Sequence, residues 1–282
     1  MGQKRKYFTI GNVFGEGFNL YFGNILKFCL PAFIAFIPIG LLYYMLFDFG
    51  MSGIAESSYP PSLFSLLGMI LGLIVLWLIM VEFKLVSNAY LDKDESLADI
   101  LKKTIGRFFP FLGMNIVLML GIWLGALLLI IPGVILLFGW CLAQVIFVLE
   151  DEKAIKSLKR SWNLTKGFKG KLFLYYLLAI VALYIAVIII TLITMGSLSG
   201  ILAGFADSQN SNITGNSFIL PMVIGMVTMY TLLFPLYTSF MVVIYYNIIK
   251  EREGFETEHL ADSFLNGSNS TPEVEFKQAG ED

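Results

Sequence analysis

One acid and one base stand inside an otherwise apolar run, Glu82 and Lys84 in "LIMVEFKLV". A charge at the centre of a bilayer costs about 2.5–3.5 kcal/mol on insertion scales, so ionisable residues in such a run are functional candidates by default. Both lie near one end of the run, where a long side chain can snorkel to water and shed most of that cost. Two residues apart on a helix, they point in different directions and form no ready-made ion pair. Interface anchoring is their simplest role. The neutral amides Asn115, Gln144 and Asn247 are expected to bond between helices, each contributing about 0.6 kcal/mol. Tyr230, Tyr237, Thr238 and Ser239 flank Pro235 in the last apolar run, the first place to look for a solute pathway.

Catalytic chemistry finds little to work with. The single histidine, His259, lies in a polar tail, which argues against histidine-built zinc sites and Ser-His-Asp triads. Cys29 and Cys141 sit in apolar runs and read as small core hydrophobes, with no spacing that suggests a metal or a disulfide framework. Glu150, Asp151 and Glu152 form an acidic knot that attraction to a helix N-terminus accounts for without a metal. No nucleophile–base pair can be named. Neither a catalytic residue nor a cofactor nor a metal is expected.

These side chains must be positioned by membrane helices. Of 282 residues, 57% are hydrophobic and 14% charged, with mean hydropathy +0.77. An ordinary soluble domain is about 45–50% apolar and about 25% charged. A bilayer core needs about 20 apolar helical residues to cross it. Such runs occur at Phe28–Phe47, Ser62–Val81 (continuing to Val86), Phe108–Leu149, Leu172–Ala206 and Ser217–Ile249. The third is long enough for two helices, with "IPG" at Ile131–Gly133 expected as the turn between them. That pair either crosses fully or is re-entrant. "GSLSG" at Gly196–Gly200 is expected to bend or end the next helix, while Pro221 and Pro235 are kink candidates in the last. Six spans result.

In that arrangement all 19 Lys and Arg fall on one side. The connections on the other side carry only Asp48, Glu56 and Asp207. By the positive-inside rule both termini face the cytoplasm of a multi-pass protein in the plasma membrane. Asn212-Ile213-Thr214 matches a glycosylation acceptor on the far side, a triplet that chance also supplies. No apolar stretch of signal-peptide type follows the basic start, so no cleaved signal peptide is expected. Lys6 stands where an N-myristoylation motif needs Ser or Thr.

Before each pair of spans lies an amphipathic segment on the basic side. "AIKSLKRSWNLTKG" puts Ile155, Leu158 and Trp162 on one helical face, with Lys156, Lys159, Arg160 and Lys166 around it. This is the pattern of an interfacial helix with Trp162 at headgroup level and the basic residues on anionic lipid, each worth about 1 kcal/mol near the surface. Lipid explains its aromatic better than RNA does. Ile10, Phe14, Phe18 and Phe22 repeat the stripe at spacing four, as do Leu97, Leu101, Ile105 and Phe109. Gly17-Phe18-Asn19-Leu20 echoes Ser161-Trp162-Asn163-Leu164. Three in-plane helices, each feeding a two-span hairpin, read as a three-fold parallel repeat; the alternative is that any short connection on this side becomes amphipathic. The chain divides into a basic start and interfacial helix at 1–24, a six-span domain at 25–249, and an acidic tail at 250–282 whose end has a disordered composition.

The start "TIGNVFGEGFNLYFGNILKFCLPAFI", the "IPG" turn, "VLEDEKAIKSLKRSWNLTKG" and the end "YYNIIKEREGFETEHLADSF" together resemble the membrane domain attached to bacterial glycerophosphoryl diester phosphodiesterases, and its stand-alone relatives. The resemblance spans nearly the whole chain and implies an all-helical membrane domain. In the fused enzymes the chemistry belongs to a separate soluble barrel with a histidine pair and metal-binding acids. With one histidine, this chain does not inherit that activity.

The preferred reading is an all-α, six-span, non-enzymatic protein that binds lipid or membrane partners as a scaffold or accessory factor. Its partners would be membrane lipids and a second copy or another membrane protein, with no nucleic acid. A transporter for a hydrophobic or lipid-like solute is the alternative, and requires a cavity reaching the bilayer midplane beside Tyr237 or Gln144. An intramembrane enzyme, the third reading, requires titratable groups converging around Glu82.

Overall fold

The computed structural model describes residues 9–52, 61–205 and 213–253. Lys4, Arg5, Lys6, Glu56, Asp207, Asn212 and the tail from residue 254, His259 included, lie outside them. The described residues form ten helices and no strand: α1 (Ile10–Gly23), α2 (Ile25–Ser52), α3 (Pro61–Tyr90), α4 (Leu97–Ile105), α5 (Phe108–Leu128), α6 (Ile130–Trp140), α7 (Ala143–Leu149), α8 (Ala154–Thr165), α9 (Lys169–Phe205) and α10 (Ile213–Glu253).

Six stretches are long and apolar enough to cross a membrane: Ile25–Leu46, Ser62–Tyr90, Phe108–Leu128, Ile131–Leu149, Lys169–Ile193 and Pro221–Glu251. At about 1.5 Å per residue, even the shortest approaches the roughly 30 Å hydrocarbon thickness. The chain is a multi-pass membrane protein. α2 packs on α3, α5 on α6 and α9 on α10, while α10 also lies along α2.

Two breakers act differently from the sequence expectation. The chain reverses at Leu129, whose extended backbone (φ −163°, ψ 141°) separates α5 from α6. "IPG" therefore belongs to the first turn of α6, where Pro132 sacrifices only an N–H that has no helical partner there. Gly133 follows for a steric reason: a Cβ on it would lie 2.8 Å from the Ala126 backbone, so α5 and α6 touch main chain to main chain. "GSLSG" does not end its helix either, since α9 continues to Phe205. A glycine within a helix costs about 1 kcal/mol, an amount a long helix absorbs. In α10, Pro235 removes one helical donor, and the Thr238 and Ser239 hydroxyls donate back to its carbonyl at 3.0 and 2.8 Å. Both hydroxyls are thereby consumed within the helix.

The core sits at one end, the basic one. Met80–Phe83 of α3, six of the seven residues of α7, and every residue from Met241 to Ile249 of α10 are buried. The short helices α1, α4 and α8 pack around this core, each turning one narrow face inward. Val13, Gly17 and Tyr21 are the buried face of α1, Ile100 and Thr104 that of α4, and Ser157, Ser161 and Thr165 line that of α8 beside Leu158 and Leu164.

Candidate functional site

The C-terminal part of α10 brings Tyr245, Tyr246 and Asn247 into the core, where a buried polar group must find a partner or cost stability. Tyr246 shares a 2.8 Å hydrogen bond with Ser87 of α3 and stacks on Tyr90, centroids 4.7 Å apart. Tyr245 donates to Glu150 at 2.9 Å, and Glu150 also pairs with Arg160 of α8. Asn247 donates to Glu16 of α1 at 2.9 Å; Tyr90 donates to the same carboxylate oxygen at 3.3 Å and accepts from Lys250 at 2.7 Å. One helix end thus ties α1, α3 and α8 together.

Arg107, just before α5, closes the other side. Its guanidinium donates to the Phe147 carbonyl at 3.0 Å and the Glu152 carbonyl at 2.7 Å, pairs with Asp151, and lies 4.4 Å from the Phe147 ring centroid. A planar fork with five donors suits such a many-sided clasp better than an ammonium would. The acidic knot is therefore shared between Arg107 and α8, whose Arg160 and Lys156 face Glu150 and Glu152.

Between the end of α3, α4 and the α7–α8 connection opens a cleft of about 840 Å³. Its lining includes half-buried Lys84, Lys93 and Glu95, buried Ser87 and Asn88, and exposed Asp92, Asp94 and Asp99. α4 is held there by Trp77, which donates to Thr104 at 3.1 Å, and by the Ser96 cap, which accepts from the Asp99 N–H. Burial alone would raise the Glu95 carboxyl, but hydrogen bonds from Lys103 and Asn88 outweigh it and hold the group below the usual range. The Lys93 ammonium is pushed down by burial and then by the nearby Lys84 ammonium.

Glu82 and Lys84 go to different places, as their spacing requires. Glu82 is 2% exposed with its Oε1 unbonded among the described residues, whereas half-buried Lys84 lines the cleft. Gln144 and Asn115 meet, the amide Nε2 donating to Oδ1 at 2.6 Å between α7 and α5. Tyr237 is 40% exposed and, like Gln144, does not line the cleft. Among the described residues no three His, Cys, Asp or Glu side chains gather as metal ligands would.

The helix α8 differs from its expected orientation. Ile155 is exposed and Leu158 buried, so they do not form one lipid-facing stripe with Trp162. Trp162 lies against Gly139, where a Cβ would overlap its ring, and beneath the Lys169 ammonium 3.4 Å from the ring centroid. The physical reason is the hydroxyl face: Ser161 and Thr165 donate to the Gly139 carbonyl at 2.8 and 3.2 Å, and such short contacts draw α8 onto α6. Arg160 turns inward to Glu150, while Lys156, Lys159 and Lys166 are exposed. The stripes of α1 and α4 are outside only in part: Ile10, Phe18 and Phe22, then Leu97, Ile105 and, at the start of α5, Phe109 are exposed, whereas Phe14 and Leu101 are half-buried against the core. Arg107 and the tyrosine pair were not identified as functional residues from the sequence; the only available signal was a lone Arg facing three consecutive acids.

Residues 96–246, a little over half of the chain, match the family model of a domain of unknown function, DUF7847. No curated protein and no solved structure matches.

Proposed function

We propose that this chain, which belongs to the DUF7847 family, is a non-enzymatic scaffold or accessory protein of the cytoplasmic membrane that binds lipid and membrane partners. In this reading the spans form three hairpins, α2–α3, α5 with α6–α7, and α9–α10. Each is preceded by an interfacial helix on the cytoplasmic side, α1, α4 or α8, and both termini lie in the cytosol. Its resemblance to the membrane domain of glycerophosphoryl diester phosphodiesterases agrees with a lipid-facing role without that enzyme's chemistry.

The observation that carries the reading is the pair of outward stripes. Five large apolar side chains on two short helices, Ile10, Phe18 and Phe22 of α1 with Leu97 and Ile105 of α4, are exposed beside the tightly packed core, and Phe109 at the start of α5 is exposed with them. On a water-facing surface they would be a liability; in the interfacial plane they bury themselves in the acyl boundary. The direct test is depth. Spin labels at positions 18, 105 and 109 in vesicles should be reached by oxygen and shielded from a water-soluble relaxant, and the opposite pattern would remove the basis of the proposal. Sidedness follows from a cysteine introduced at position 212, which should be labelled only from outside. Replacing Phe18, Ile105 and Phe109 by serine should lower the lipid that co-purifies with the protein.

Transport of a lipid-like solute is the second reading, although the cleft lacks the Tyr237 or Gln144 lining that this reading calls for. Flux of a fluorescent lipid in proteoliposomes tests it; flux above that of protein-free vesicles would put transport first.

A further inference from the structure

The stretch Ile131–Leu149 is long and apolar enough to cross a bilayer, but its neighbours fix how deep it sits. Near its middle is Gly139, whose carbonyl accepts from Ser161 and Thr165 of α8. The Trp162 ring lies on Gly139, and the Lys169 ammonium stands 3.4 Å from the centroid of that ring. Were the stretch to cross fully, Gly139 would lie near the bilayer centre and hold an ammonium group there, among the costliest places for one. At the membrane surface the same group is at home. Trp140 lies on Gly121 of α5, and Trp123, two positions further along α5, is exposed. Trp123, Trp140 and Trp162 thus gather at the level of Lys169, as an interfacial aromatic belt does.

Below that level the hairpin has little length left. Its reversal at Leu129 is nine residues from Phe138, about 14 Å at 1.5 Å per residue and less with any tilt. Phe138 packs on Phe173 and Tyr176 of α9, centroids 5.7 and 5.5 Å away, and Tyr176 donates to the Met241 sulfur of α10 at 3.1 Å. Beyond those contacts the apolar stretches of α9 and α10 reach Ile193 and Pro221, about 26 and 30 Å further on. The tip therefore stops about half-way along its neighbours, in a hydrocarbon core about 30 Å thick. The reversal suits that place. Leu129 alone leaves the helical path, its N–H donates to the Gly125 carbonyl at 3.2 Å, and Pro132 brings no N–H to be left unpaired. Leu127, Leu128, Leu129 and Ile131 are all exposed around the tip.

We propose that the α5–α6 hairpin is re-entrant: it enters the bilayer from the basic side, ends near the midplane and returns, and its exposed tip is a binding surface for the acyl chains of that one leaflet. Crossing is left to α2, α3, α9 and α10. The inference goes beyond the lipid-binding reading above and takes from it only the identity of the leaflet, the cytoplasmic one. A wedge of this depth occupies area in one leaflet and none in the other, which couples the protein to the packing of that leaflet.

Accessibility of the tip in the full chain is the first test. A membrane-impermeant maleimide, applied to intact cells and to inverted vesicles, should leave Leu129→Cys unlabelled from both sides and label it once the membrane is dissolved in denaturant. Labelling from either side of the intact membrane overturns the proposal. Leu129→Lys should lower the melting temperature while Leu129→Met leaves it in place, because a lysine there would sit near the midplane. An unchanged melting temperature in Leu129→Lys means a tip that reaches water, and equal loss in both variants means a packing contact; either result overturns the depth. The leaflet is read by a photoreactive benzoylphenylalanine at position 124, where Leu124 is exposed on α5, in vesicles whose labelled phosphatidylcholine is confined to one leaflet. Capture should come severalfold more from the leaflet beside the basic side; equal capture, or more from the far leaflet, overturns the proposal. The two readings fail separately. A cysteine at position 212 labelled only from inside would exchange the identity of the leaflet and leave the depth intact, whereas labelling of Leu129→Cys from outside with position 212 behaving as expected would remove the re-entrant hairpin alone.

Discussion

α9 and α10 are neighbours in sequence and pack on one another, yet the more apolar helix is the less buried. The best stretch of α9 has mean hydropathy 2.9 and 0% of its residues inside the protein, while that of α10 has 1.7 and 50%. In water this ranking would be perverse. In a bilayer the lipid tails are as apolar as leucine, so hydrophobicity carries a helix into the membrane and does not carry it into the core. What buries the end of α10 is polar: Tyr245, Tyr246 and Asn247 bond to Glu150, Ser87 and Glu16. Close approach of small residues does the same between α5 and α6, and between α6 and α8.

That contrast can be broken by attacking contacts at the basic end and leaving α9 alone. Gly133→Val should have the largest effect, about 3 kcal/mol of destabilisation, because its side chain would meet the Ala126 backbone; unfolding of the full chain in mixed micelles measures it. Arg107→Met should cost about 2 kcal/mol by the same measurement, since two carbonyls and a carboxylate lose charged donors at once. An effect as small as that of an exposed lysine would show that the clasp is ornamental.

A pH titration sharpens the comparison next. Glu95 is held below the ordinary carboxylate range when folded, so its contribution is fully present above that range and is lost as pH falls through the lowered value. Wild type should therefore lose stability on acidification that Glu95→Gln does not, by no more than about 1 kcal/mol. A double-mutant cycle of Asn115→Ala and Gln144→Ala should return a coupling of about 0.6 kcal/mol. Leu192→Ala on α9, where the side chain is 68% exposed, should move the melting temperature least, by the equivalent of less than about 0.5 kcal/mol. A large loss there would mean that α9 is covered by a partner.

Much of the architecture was legible from the chain. The spacing of Glu82 and Lys84 separates them, and it does so in three dimensions. The stripes of α1 and α4 match the periodicity of four only in part, since Phe14 and Leu101 turn toward the core while their neighbours Ile10, Phe18, Phe22, Leu97 and Ile105 are exposed. Legibility failed where two faces of one helix competed. In α8 the apolar set Ile155, Leu158 and Trp162 looked like the face that matters, but hydrogen bonding of Ser161 and Thr165 to the Gly139 carbonyl chose the contact. "IPG" misled by position, since proline is as well placed just inside a helix as in the turn before it. The cleft joins the segment Met80–Arg107 to Val148, Leu149, Asp151 and Tyr246 far along the chain, so no local pattern could assemble it.

The amino-acid sequence by itself determined that this is a helical multi-pass membrane protein with six stretches long and apolar enough to cross a bilayer. Run length and charge distribution are one-dimensional properties, and the bilayer reads them one segment at a time. Only the tertiary structure decided which face of each short helix turns inward, that Arg107 holds the acidic knot, and that a cleft lined by charges of both signs opens beside α4. Those outcomes depend on hydrogen-bond geometry and on the close approach of small residues between distant segments, and in a medium as apolar as the core itself no hydropathy pattern encodes them.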